Sequence, residues 1–252
     1  MLRLSEIAGM DRPVRQDDVD DLGKPTQELI CEAIDAGRYE EAKLLARYFL
    51  PEGKALHDLF CDWIWDFLSK IASREGEEAV FDYLHATQSS WMLKRTWRGF
   101  LNLSVKARVD LSAEIMRSHM CGPKQDGEIA IEEHDDHFAL VMDPCGSGGR
   151  MRRGDPVNGT GSRLDAPYNF GKTSRPYDWS FGEADVPYYC LHCAVNEIVP
   201  MELGGHPLWV TDYQSDAEKP CKWLFYKTAE AIPEKYYQRA GKQKPAAGNG
   251  KY

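Results

Sequence analysis

Cys190 and Cys193, in "YYCLHCAV", stand at the spacing that lets two thiolates from one turn grip the same tetrahedral metal ion. Two further cysteines each follow a proline at a strand boundary, Cys145 in "DPCG" and Cys221 in "KPCK". The four together form a candidate metal set, suited to zinc or, as the alternative, to an iron–sulfur cluster. Independent burial and redox or nucleophilic thiol chemistry are the competing readings. Cys31 and Cys61, beside Ile30 and Phe60 on helix faces, read instead as core residues.

Cys145 opens the stretch "CGSGGR". There Gly146, Ser147, Gly148 and Gly149 can present backbone N–H groups as a nest for an anion, with Arg150 adjacent; the same glycines also read as a plain turn. If Cys145 is not a metal ligand, it is the candidate nucleophile, favoured as a thiolate by those amides and arginines. His192, inside the cysteine pair, His206 and Glu197 are the acid–base candidates. Glu197 shares a helix face with Cys193 at i, i+4. A surface position for Glu197 is the alternative. His134 and His137 flank Asp135 and Asp136 at an expected hairpin tip and read as solvent-exposed.

The formal net charge of −9 disfavours a nucleic-acid binder, which needs a positive face. Against that acidic background Arg150, Arg152, Arg153, Arg163 and Arg175 fall within one loop region, so the expected partner is a small anionic molecule. No stretch approaches the ~20 apolar residues that span a bilayer, and the N-terminus turns acidic before a secretory signal develops. A cytoplasmic protein with reduced cysteines is the expectation. The oligomeric state is open, a homodimer included.

Elements must bring these residues together. Residues 1–25 are polar and read as a loose segment. From Thr26, "TQELICEAIDAG" places Leu29, Ile30, Ala33 and Ile34 on one helical face and stops at Gly37. A second helix carries Ala42, Leu45, Ala46 and Phe49. Pro51 suits the first turn of a third, buried through Leu56, Phe60, Trp63, Ile64, Phe67, Leu68 and Ile71. More amphipathic helices follow to residue 120, giving a helical region over 26–120. The period then changes to strands at Glu128 to Glu133 and Phe138 to Met142, followed by a long irregular loop over 144–187. In that loop Tyr177 and Trp179 are expected to close over a substrate. A short helix broken by Pro200, two strands in "HPLWVTDY" and "KWLFYK", a closing helix and a flexible tail over 241–252 complete the chain. The expected class is α+β: an N-terminal helical layer, then a small antiparallel sheet with a long functional loop in a ligand-binding region over 121–240.

The stretch "CLHCAVNEIVPMELGGHPLWVTDYQSDAEKPCKWLFYK" runs from a cysteine pair through a glutamate, a turn and a strand to a cysteine and an aromatic strand. It resembles the C-terminal part of 4-vinyl-reductase-type small-molecule-binding domains. The helical front followed by a hairpin is similar to L-2-amino-thiazoline-4-carboxylate-hydrolase-like proteins. These likenesses cover the last third of the chain and leave "DPCGSGGRM" outside either pattern. They imply an α+β domain enclosing a small molecule with cysteines near its pocket, and carry over no catalytic residue. The expected function is a metal-dependent hydrolase or lyase acting on a small anionic, aromatic-compatible substrate at a cysteine-ligated metal. The alternatives are a small-molecule sensor with a structural zinc and an iron–sulfur protein.

Overall fold

The computed structural model describes residues 3–5, 14–16 and 19–252. The remaining residues of the segment expected to be loose lie outside that description. The chain divides into two units, one of residues up to Phe60 with Pro156–Thr160, the other of Cys61–Asp155 with Gly161–Tyr252.

In the first unit β1 (Arg3–Ser5) pairs antiparallel with β2 (Val14–Gln16), and α1 (Val19–Leu22) precedes α2 (Thr26–Asp35). Gly37, at φ +71°, ends α2 as expected. The core of this unit is Ala33, Ala42 and Leu45, with Leu29 and Ile30 against it. Ile34, Ala46 and Phe49, expected inside, are exposed, and so is Cys31.

Pro51 does not start a helix. It lies within α3 (Tyr39–Glu75), which replaces the two helices expected there. The buried positions Ala42, Leu45, Tyr48, Lys54, Asp58, Cys61, Trp65, Leu68 and Ile71 recur at three- and four-residue steps, with Pro51 midway between Tyr48 and Lys54. Burial along that stripe outweighs the ~3 kcal/mol an interior proline costs. The stripe also corrects the expected face. Leu56, Phe60, Trp63, Ile64 and Phe67 are exposed.

In the second unit α4 (Glu77–Thr87), a π turn, α5 (Leu93–Leu101) and α6 (Val105–Arg117) precede the sheet, and the Ser104 hydroxyl caps α6 by accepting from Ala107 N–H at 3.2 Å. The sheet holds β3 (Ala130–Glu133), β4 (His137–Met142), β5 (Val210–Asp212) and β6 (Cys221–Tyr226), all antiparallel, in the order β3-β4-β6-β5. The α+β expectation holds. Alternation divides the core. Phe138, Leu140, Met142, Trp223 and Phe225 pack with Trp97, Phe100, Val109, Ala113 and Met116 of α5 and α6. Ala139, Leu224 and Tyr226 pack with Leu191, Ala194, Val195 and Ile198 of α8 (Leu191–Gly204). Pro200 does not break α8, which ends at Gly205 with φ +91°. No helix among the described residues is long and apolar enough to cross a membrane.

Beyond α9 (Glu234–Gln238), the stretch expected as a flexible tail lies along this unit. Lys251 N–H donates to Gly204 O at 2.6 Å, the Tyr252 hydroxyl donates to Tyr226 O, and the Arg108 guanidinium sits 4.9 Å above the Tyr252 ring. Lys242 Nζ, at 2.9 Å, and His85 Nε2, at 2.7 Å, both meet the Glu202 carboxylate. Burial pushes that carboxyl up, but the hydrogen bonds from Lys242 and His85 outweigh it and hold it below its ordinary value. A depressed native value contributes stability above the unfolded value near 4.5 and loses it as pH falls through the native one. Glu202→Gln should therefore flatten the acid limb of a stability-against-pH curve below about pH 4.5, by less than about 1 kcal/mol for so exposed a cluster.

Candidate functional site

Antiparallel pairing brings the distant cysteines to one place. Met142, at the end of β4, is opposite Cys221, at the start of β6, so the loop leaving β4 and the strand entering β6 meet at one end of the sheet. Cys145 lies three residues beyond Met142, after the cis peptide to Pro144. Cys190 immediately precedes α8, at its N-cap position, and Cys193 occupies its first turn. One cavity of about 570 Å³, its open mouth included, is lined by all four of Cys145, Cys190, Cys193 and Cys221. Ser147, Gly148 and Gly149 form part of its wall, with Arg152 and His192. Met116 and His119 enter from α6 and the turn after it, and Met142, Thr211, Tyr213 and Trp223 come from the sheet end.

The glycine-rich loop is held from behind. Arg150 is 1% exposed; its Nε and Nη2 donate to Gly146 O at 3.0 and 2.7 Å, and its Nη1 meets Asp155 Oδ2 at 2.7 Å. This contradicts its expected role as the anion receptor. Arg150 and Arg152 lie two residues apart on α7 (Gly148–Arg153), hence on opposite sides, and it is Arg152 that reaches the cavity. Gly149 N–H donates to Cys145 Sγ at 3.4 Å, and Gly146 N–H donates to Cys121 Sγ at 3.4 Å. Gly148 approaches Cys190 so closely that a Cβ there would lie 2.5 Å from Sγ.

Burial dominates the electrostatics. It pushes the thiols of Cys190, Cys193 and Cys221 up, neighbouring cysteines push the same way, and the three stay protonated at neutral pH. Cys121, outside the candidate set at sequence level, is pushed up to about 12 by burial and by Cys145. Burial lowers His192, leaving a neutral ring. Its Nδ1–H donates to Tyr189 O, which leaves Nε2 as an acceptor 3.4 Å from Cys193 Sγ. The cavity thus offers a soft donor set and one neutral base. Among the described residues, however, no three His, Cys, Asp or Glu side chains already stand together at metal-holding distance, so the four thiols surround the cavity without converging on one point.

The remaining candidates lie elsewhere. Glu197 is buried, as a surface carboxylate would not be, and accepts from Arg239 Nη2 at 2.7 and 2.9 Å and from Thr211 N–H at 2.6 Å; it braces a cavity residue from outside the lining. His206 is removed from the cysteines, with Nδ1 2.7 Å from the Tyr237 hydroxyl and Nε2 2.8 Å from Asn249 O. Tyr177 and Trp179 do not close the cavity. They stack on each other at 4.1 Å, Trp179 also stacks on Phe81, and the Tyr177 hydroxyl donates to Glu77. That packing ties the long loop to α4 and to the main core, which explains its aromatic content without a lid. Sequence reasoning missed His119, Met116 and Thr211, whose types and spacing carry no signal. No protein-family model matches the chain, and neither a curated protein nor a solved structure matches it.

Proposed function

We propose that Cys145, Cys190, Cys193 and Cys221 bind a zinc ion and that the chain is a metal-dependent enzyme of the hydrolase or lyase type, cytoplasmic, acting on a small anionic molecule with an apolar or aromatic body. The observation that carries the reading is that these cysteines, from segments up to 76 residues apart, line one cavity. Thiolate sulfur is the donor that soft and borderline cations select; four thiolates would close a tetrahedral zinc, so a bound water, whose pKa zinc would lower to about 7, would need Cys145 or Cys221 to leave one position open. The chain's own residues supply the rest. Met116, Met142 and Trp223 give the cavity apolar walls, Arg152 gives it a cation, and the Nε2 of His192 accepts a proton beside Cys193. The likeness of the C-terminal third to small-molecule-binding domains points the same way.

Elemental analysis of protein purified anaerobically tests this. One zinc per colourless chain with an open coordination position supports it, a closed four-cysteine zinc favours the small-molecule sensor with a structural zinc, and iron with sulfide and a brown colour replaces it with the iron–sulfur reading. The absence of bound metal after zinc titration overturns the metal site altogether. Cys190→Ser should lower zinc affinity about 100-fold or more, since removal even of an outer partner costs ~10–100-fold. Zinc uptake should release protons, because thiols held protonated by burial must ionise to bind it, and affinity should rise with pH.

A further inference from the structure

Arg152 is 7% exposed and lines the cysteine cavity, and its guanidinium meets no carboxylate among the described residues. Its Nη1 donates to the Tyr213 hydroxyl at 2.9 Å and Ser215 O at 3.4 Å, and its Nη2 to Gln214 O at 2.5 Å and Asp216 O at 3.4 Å. All four acceptors are neutral. Its Nε is buried and has no acceptor among the described residues. Of the other buried arginines of this unit, Arg150 meets Asp155 and Arg163 meets Asp62, while Arg108, which also meets no carboxylate among the described residues, donates to Phe100 O and lies outside the cavity lining. A buried cation without a counter-charge is costly, and an unmet buried donor adds to the cost. Carbonyls from residues 214–216 hold the guanidinium in place, so a partner must come to it.

We infer that Arg152 is the residue that selects an anionic ligand, by pairing its Nε–H and its charge with an oxyanion, such as a carboxylate, whose apolar body lies against Met116, Met142 and Trp223. This rests on the reading of the cavity as the substrate site and not on the metal. An Nε–H left free while both terminal nitrogens are engaged favours a contact through one oxygen over the bidentate fork. A neutral ligand of the same shape would leave the charge unanswered.

The test is calorimetric titration of the full chain with benzoate and with its neutral isostere benzamide, on zinc-loaded and on metal-free protein. Benzoate should bind about tenfold or more tightly than benzamide. Arg152→Gln should abolish that preference while changing benzamide affinity less than about twofold. If this variant does not fold, the Arg152 Nε–H resonance of the wild-type protein decides, and it should move downfield with benzoate and stay in place with benzamide. Equal binding of the two probes, a preference that survives Arg152→Gln, or an unmoved resonance overturns the inference. A benzoate preference in protein that takes up no zinc would uphold Arg152 while defeating the metal reading, and one equivalent of zinc with equal binding would do the reverse.

Discussion

Gly146→Ala should destabilise the second unit by at least about 4 kcal/mol, beyond the ~1–3 kcal/mol of ordinary overpacking. A Cβ at this position would lie 1.4 Å from the carbonyl oxygen of His119, 2.4 Å from its carbonyl carbon and 2.5 Å from the carbonyl carbon of Met120. All three atoms are backbone, so no rotamer change relieves the overlap. The loop is also tied to this turn by Gly146 N–H donating to Cys121 Sγ and by Gly122 N–H donating to Pro144 O at 3.0 Å. Retreat of the loop would break both bonds and part Cys145 from His119, which share the cavity. Urea denaturation followed by tryptophan fluorescence, together with zinc titration, measures both consequences. A loss below about 1 kcal/mol would show that the turn after α6 yields to the loop.

Asp155→Ala should cost about 3–5 kcal/mol, the range for removal of one partner from a buried ion pair. Arg150 and Asp155 are each 1% exposed at the side chain and 2.7 Å apart, and Gln125 Nε2 also donates to Asp155. Without the carboxylate, the guanidinium is left in the interior behind Gly146. Arg150→Met in the same chain should recover part of the loss, because an apolar side chain leaves no charge unanswered. A double-mutant cycle by thermal unfolding reads the coupling. Independent, additive effects would show that Gly146 O and Gln125 suffice to hold the two groups.

The four cysteines and the glycine-rich loop were legible because their chemistry is local, a spacing in one case and a backbone freedom in the other. The strand pair that carries Cys145 and Cys221 was legible from alternation over Phe138 to Met142 and in "KWLFYK". Which arginine serves the cavity was not, since Arg150 and Arg152 differ only in the side of α7 they occupy, and that is fixed by Asp155. Prolines misled twice. Pro51 and Pro200 lie inside α3 and α8, where packing of flanking residues outweighs a lost backbone bond. The buried side of α3 was ambiguous because apolar residues surround that helix, Trp63 and Phe67 on one side and Trp65 and Leu68 on the other.

The pairing of Met142 with Cys221 and of Thr211 with Trp223 makes the cavity a matter of odd and even. All four side chains line it, and Lys222, between Cys221 and Trp223, points to the opposite side of the sheet. One residue inserted within β6 would present a lysine where the thiol stands, whereas two would restore the thiol side. The connection carries no such parity, but Tyr213 lines the cavity and the carbonyls of residues 214–216 hold Arg152, so lineages descended from a common ancestor should vary in length only over residues 218–220 and keep the count from Cys221 to Trp223 unchanged.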